Sequence, residues 1–468
     1  MHRRLTAIAF TLCLCASLCA ARPPADQKKG DVRTFELHPV APPVPALKYR
    51  FTYDPVDCYR GNAAIPYLQA MMFLSDKEDA ALDKALDALR DKDEATLRAA
   101  GQTLLNHNTL FDTLDLAAHA DSCEWQPAIR ERGIMALLPH LNLMRKMANI
   151  LRVRAAIQMR DGQVDEALKT IRLGFEMSRD TGREPVLVSG LVGIAIGALT
   201  NESLAELMSR PDAPNLYWAL ASMPRPTVEF RHSMSGERAF LFASVSALKR
   251  SENVDELTAQ DWRDVMRQIS QLMSQSSGAN GGKPKVVSEV EITAAAALVL
   301  PQAKKYYAES RNVPVEQAEK VEPMKLAGIY YYEQYRASLD EIFKLIELPY
   351  PQQSALLEQT MKQFAHRKEQ TPTNVFYQLI PALNRASASF ARLDRQLAAL
   401  TAVEAIRSYA AAADGTLPPK LEDISDTPVP INPMTGQAFE YSVEGNTAVL
   451  RDSQTKDWVL EYTIKVVK

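Results

Sequence analysis

The chain has 468 residues, with 54 basic and 57 acidic side chains and a net charge of −3. That length suits about two to four domains, and 46% apolar content supplies a core, while 7% aromatic content with abundant alanine argues for an α-rich body. The mildly acidic balance lacks the concentrated basic face that nucleic-acid binding needs, so no nucleic-acid partner is expected.

Residues 1–21 have the pattern of a secretory signal. Arg3 and Arg4 form a positive start, Leu5 to Leu18 is apolar, and Cys19-Ala20-Ala21 is a small-residue cleavage site before Arg22-Pro23-Pro24. Export to the periplasm or beyond is expected, with no transmembrane span after cleavage, because the apolar run is shorter than the ~20 residues a span requires. Lipid attachment at Cys19 is the alternative, and Leu18 before it is the wrong residue for that reaction. Residues 22–48 read as a Pro-rich linker. Cys58 and Cys123 remain in the mature chain, and in an oxidising compartment they are expected to pair as a disulfide. The bridge would close a loop of about 65 residues, worth roughly 4 kcal/mol in chain entropy.

Residues 49–273 read as a helical domain. "DKEDAALDKALDALRDKDEATLRAAGQTLL" has a charged face and an Ala/Leu face. Met144, Ala148, Leu151, Ala155 and Met159 share one face of a helix that Asp161-Gly162 breaks. Val164, Leu168, Ile171 and Phe175 then stripe a second helix. This helical hairpin resembles a tetratricopeptide unit through its "RDGQVDEAL" turn and the small Ala155 and Ala167. Pro185 to Leu199 is almost wholly apolar and about 15 residues long, which fits a helix buried on all sides rather than a span. Gly193 and Gly197 in it form a close-packing motif.

The prolines of "RPDAPNLYWALASMPRP" bracket a short helix carrying Tyr217 and Trp218. "EFRHSMSGER" follows, a polar cluster running from Glu229 to Arg238. Tyr217, Trp218, Arg225, Glu229, Arg231 and His232 are the candidate binding residues. Core packing for the aromatics and a solvated ion-pair face for the cluster are the plainer alternatives. No histidine pair has metal-ligand spacing, no G-x-S-x-G elbow occurs and no phosphate cradle survives inspection. No catalytic residue, metal or cofactor is therefore assigned. Residues 274–287, including "SQSSGANGGKPK", read as a flexible linker, and 288–386 as a second helical segment packing on the first.

Residues 387–468 read as a helix plus a β-meander. Phe390, Leu393, Leu397, Leu400, Val403, Ile406 and Ala410 stripe the helix, and Asp414-Gly415 stops it. Phe439, Tyr441 and Val443 alternate, Gly445-Asn446 is a hairpin turn, and Trp458, Leu460, Tyr462, Ile464 and Val466 alternate again. A three-stranded antiparallel sheet is expected, with the helix laid across its apolar face because an isolated meander is marginal. "AIRSYAAAADGTLPPKLEDI…PINPMTGQAFEYSVEG" resembles the soluble domain of major pseudopilins of type II secretion systems, which have a long helix, a G-x-x-P loop and a small sheet opened by an Asp/Asn-Pro-x-x-G turn. The apolar N-terminal pilin helix and the aspartate-rich calcium loop of that family have no counterpart here. "APNLYWALASMPRP", following the hairpin, looks like a group of secreted proteins of planctomycete-type bacteria that often carry the same kind of tail.

The expectation is therefore a mainly α chain, with an irregular bundle or solenoid-like body and a small C-terminal α+β module. It would be an exported, non-enzymatic protein-binding or scaffold protein of the cell envelope whose partner is another envelope protein. The alternative is an exported hydrolase-like enzyme using the Glu229–Arg238 cluster.

Overall fold

The computed structural model describes residues 30–126, 136, 138–237, 241, 244–250, 253–279, 287–380, 383–455 and 458–467. Residues 1–21, expected to be a signal sequence, lie outside the described residues. The chain is mainly α, with a small sheet at its C-terminal end, as its periodicities require. The described residues divide into two compact units: those within 30–126, 138–233 and 388–467 form the larger, and those within 234–387, with 136, the smaller.

The larger unit starts with strands β1 (Gly30–Leu37) and β2 (Tyr59–Asn62). Helices α1 (Ala64–Met71), α2 (Asp76–Asp91), α3 (Glu94–Leu105) and α4 (Asn108–Ala118) lead to β3 (Ala120–Ser122). Ser75 and Glu78 cap α2 reciprocally, satisfying two donors that a helix start leaves open. Next come α5 (His140–Arg160), α6 (Val164–Gly182), α7 (Leu187–Met208), α8 (Tyr217–Ala221) and α9 (Phe230–Ser235). The expected hairpin is α5–α6. Gly162 turns it at a left-handed φ of 71°, where a Cβ would be strained. Met144, Leu151, Met159, Ile171 and Phe175 are all buried.

In the smaller unit, α10 (Ser246–Arg250), α11 (Ala259–Ala279), α12 (Glu289–Arg311), α13 (Val315–Ala318), α14 (Pro323–Phe343) and α15 (Tyr350–Gln370) enclose a core of their own. Trp262 of α11 and Tyr331, Tyr332 and Tyr335 of α14 are buried there with Phe376. The composition shift after residue 273 is therefore not a packing boundary: α11 runs on to Ala279 and packs with α14. The rest of that expected linker, residues 280–286, lies outside the described residues.

Helix α16 (Leu383–Ala412) precedes β4 (Glu440–Glu444), β5 (Thr447–Asp452) and β6 (Val459–Val466). Asp414 and Gly415, both at positive φ, end α16, and the Gly415 N–H donates to the Ala410 carbonyl at 2.8 Å. Asn432 closes the turn before β4, with its N–H on Gln437 O and Gly436 N–H on its own carbonyl, both at 2.8 Å.

The sheet corrects two expectations. It has four strands in the order β1-β6-β5-β4, and β1 lies parallel to β6, with Gly30 opposite Val459 and Leu37 opposite Val466. The first strand comes from the segment read as a linker. Phe35 and Leu37 alternate with exposed Thr34 and Glu36, and their burial beside Tyr462 and Ile464 makes the strand. The C-terminal helix and sheet form the expected α+β module, and it shares one core with α5–α8, in which Leu397, Val403 and Ile406 cluster with Leu450, Leu460 and Ile464 and with Phe175, Leu207 and Leu220.

The expected disulfide is absent, and Cys58 and Cys123 are free thiols. Strands β2 and β3 run parallel with Tyr59 opposite Ala120, so Cys58 and Cys123 sit at opposite ends of the pair. That offset is about four residues, roughly 13 Å of strand, where a bridge needs Cα atoms within about 7 Å.

Helix α7 is long and apolar enough to cross a membrane, yet most of its apolar stretch is buried in the protein. Its glycines explain how it packs. A Cβ at Gly193 would lie 2.7 Å from the Ser178 carbonyl oxygen and 3.2 Å from the Gly182 Cα, both backbone atoms of α6. The Ser178 hydroxyl donates to the Gly193 carbonyl at 2.7 Å across the same contact. Gly193→Ala must push two helices apart. It is expected to lower stability by about 1–3 kcal/mol, read as a fall in melting temperature. An unchanged melting temperature would show that the α6–α7 spacing is not fixed at this point.

Candidate functional site

The residues picked from the sequence lie in the larger unit, and Tyr217, Arg225 and His232 are committed to internal bonds. Tyr217 is buried, and its hydroxyl donates to the Pro428 carbonyl at 2.7 Å. Trp218 meets it edge to face at 4.9 Å and packs partly against the core. The Arg225 guanidinium donates to the Thr401 hydroxyl at 3.0 Å. Beside it, the Thr227 N–H and hydroxyl both donate to Asp394, at 2.9 and 3.1 Å. Burial pushes the Asp394 carboxyl up to about 6, against the pull of Thr227 and Arg225. Glu229, Arg231 and His232 are exposed, and the His232 Nε2 sits 2.6 Å from the Arg183 carbonyl. A nitrogen facing a carbonyl carries the proton, so this tautomer holds Nε2 as a donor to backbone rather than as a base. Arg238 lies outside the described residues.

A second cluster escaped the sequence reading. Glu176, Asp180 and Glu184 follow one another at four-residue intervals on and just beyond α6, and all three are buried. That spacing places them on one stripe of a helix, and charged residues on an otherwise apolar stripe are the signal that could have revealed them. Asp180 accepts hydrogen bonds from the Tyr67 hydroxyl and the Arg183 guanidinium, each at 2.9 Å. The Arg179 guanidinium donates to both oxygens of Glu176, each at 2.9 Å. One oxygen of Glu184 accepts the Ser189 hydroxyl and also faces His140 Nε2 at 3.2 Å. Its other oxygen, Oε1, has no hydrogen-bond partner among the described residues. The Trp125 ring stacks on His140 at 4.3 Å and 10°, and on Tyr67 at 6.0 Å and 18°.

Electrostatics follow from the burial. Asp180 is pushed up to about 7 by desolvation, with Arg183 pulling down and Glu176 adding like-charge repulsion. Glu176 is also raised, by desolvation first. The Tyr67 hydroxyl and the Cys123 thiol are driven upward by burial and by Asp180. Cys123 is thus held as a thiol, not the thiolate a nucleophile needs.

The chemistry open to this cluster is limited. A serine nucleophile needs its hydroxyl on a base that can take the proton. Here Ser189 donates to a carboxylate, and His140 points at that same carboxylate rather than at the serine. The arrangement ties α5, the end of α6 and the start of α7 together. Among the described residues no group of three or more His, Cys, Asp or Glu side chains could hold a metal.

Fold and site together define a mainly helical protein whose last helix carries a small mixed sheet on the body's own core. No known protein family, no curated protein and no solved structure matches the chain.

Proposed function

We propose that this is an exported, non-enzymatic protein-binding or scaffold protein of the cell envelope, with a body built on a tetratricopeptide-like hairpin and a pseudopilin-like tail. The observation that carries this reading is the commitment of its candidate polar groups. Tyr217, Arg225 and His232 bond to Pro428, Thr401 and Arg183, and the pairs under α6 bond to one another. These side chains brace a surface rather than arm a reaction centre. Antiparallel helices stacked as α5, α6 and α7 are suited to presenting such a surface to another protein. The signal pattern of residues 1–21 supports export, and the partner is then another envelope protein.

The test uses the full chain in its own cells. Mass spectrometry of the mature protein is expected to find Arg22 at the N-terminus, in the envelope or medium fraction. A photo-cross-linking residue placed in turn at exposed Asp87, Leu116 and Ser442 is expected to give at least one discrete adduct with an envelope protein. Retention of residues 1–21 in a cytoplasmic fraction overturns the location. Failure of every position to yield a discrete adduct overturns the binding role. Truncation before α16 is no substitute, because it would strip Leu397, Val403 and Ile406 from the shared core.

A further inference from the structure

The outer edge of the sheet has features of a strand-accepting site. Strand β4 pairs with β5 alone and forms the outer strand of the sheet. Its hairpin closes across the Glu444–Thr447 pair around the two residues Gly445 and Asn446. In a two-residue hairpin that closing pair exchanges both its hydrogen bonds, and bonded pairs then alternate along the ladder. Glu444, Ser442 and Glu440 therefore spend their backbone groups on β5. The N–H and C=O groups of Tyr441 and Val443 point outward, and no backbone partner for them occurs among the described residues. An unpaired row of this kind is a template for an added strand.

The two faces of the edge differ in chemistry. On one face, Glu440, Ser442 and Glu444 are all exposed. On the other, Val443 is 37% exposed. It opens into a groove of about 410 Å³ shared with Leu417, Pro419 and the Gly445-Asn446 turn. A strand laid along β4 would place alternate side chains against the two carboxylates and against this groove. Basic residues match the first and aliphatic residues the second.

We infer that the β4 edge binds an extended segment of a partner protein, antiparallel, with alternating basic and aliphatic residues. The inference rests on the protein-binding reading and names the chemistry of the partner. Bidentate pairing to Tyr441 and Val443 supplies the ladder bonds, and the alternation supplies register and specificity.

The probe is a synthetic octapeptide alternating lysine and valine, titrated against the full mature chain by calorimetry or fluorescence anisotropy. In the antiparallel register the valines face Tyr441 and Val443, so their N–H groups make the ladder. N-methylation of the valines is expected to weaken binding at least about tenfold, close to 1.4 kcal/mol, and N-methylation of the lysines to leave it unchanged. Val443→Pro removes an outward donor and leaves the β4–β5 ladder intact, so it should cause the same loss without lowering the melting temperature. Glu440→Lys with Glu444→Lys should transfer the preference to a glutamate–valine peptide. Equal binding by both methylated peptides, indifference to charge reversal, or no binding of the parent peptide at about 1 mM each overturns the inference. An envelope adduct that persists in Val443→Pro would leave the protein-binding reading standing and remove only the β4 edge.

Discussion

Arg407→Met is expected to cost about 3–5 kcal/mol of unfolding free energy, the loss typical when one member of a buried ion pair is removed. Arg407 and Glu404 are both fully buried side chains in the last third of α16. The guanidinium donates to three backbone carbonyls: His38 at 2.7 Å, Ala213 at 2.8 Å and Pro214 at 3.0 Å. It also lies 3.4 Å from Glu404 Oε1. Glu404 Oε2 in turn accepts the Leu216 N–H at 3.2 Å, and Asn215 reaches the carbonyls of Val40 and Glu404 at 3.1 and 3.2 Å. One cation thus ties the segment after β1 and the segment before α8 to the last helix. Methionine fills similar volume but strands three carbonyls and a carboxylate that burial already raises above its ordinary range. Urea unfolding of wild type, Arg407→Met, Glu404→Gln and the double variant gives the coupling directly. The double variant should cost clearly less than the two single losses combined, because the stranded charge is gone. A loss below about 1 kcal/mol for Arg407→Met would mean that water reaches these groups.

This network marks the limit of what the sequence discloses. The stripe from Phe390 to Ala410 is visible because apolar residues recur every three or four positions, and all its members are buried. Arg395, Glu404 and Arg407 lie on the same helix and are buried too. A charge looks the same in sequence whether it meets water or a carbonyl far along the chain. Local turn chemistry was legible for the same reason as periodicity: Gly162 and Gly445 sit at the hairpin turns the sequence predicts, both at positive φ. Strand β1 was not, because its partner β6 is more than four hundred residues away and only Phe35 and Leu37 turn a hydrophobic face inward. The cysteines failed for a related reason. Compartment predicts whether thiols oxidise, but the register of β2 on β3 decides whether they meet. Of the candidate site, the tyrosine–tryptophan pair was found and its structural role was the plainer alternative. The carboxylate stripe of α6 was not legible, because apolar periodicity marks a buried face and says nothing of the charges that share it.

That stripe carries the second large effect. Asp180 has an ordinary value of 3.8 and is raised to about 7 in the folded chain. Between those values the folded protein keeps a proton that the unfolded chain has released. Stability contributed at this site is therefore full below about pH 4, falls as pH rises, and is lost above about pH 7. At ~1.36 kcal/mol per pH unit the swing is of order 4 kcal/mol. Asp180→Asn keeps an acceptor for the Tyr67 hydroxyl and cannot ionise. Its unfolding free energy relative to wild type should thus improve by about 2–4 kcal/mol between pH 4 and pH 8, a net figure that already contains the opposing attraction to Arg183. Carboxylates remote from the site titrate alike in both proteins and cancel in the difference. Glu176 does not cancel. It is raised by its own burial, with Arg179 and Arg183 opposing, and it loses a like-charged neighbour in the variant, a repulsion already contained in the raised value of Asp180. Urea curves for the two proteins at five pH values from 4 to 8 read the difference directly. Parallel profiles would mean that Arg183 holds Asp180 ionised throughout. The cluster would then be a permanent ion pair, not a carboxyl that is protonated in the folded chain near neutral pH.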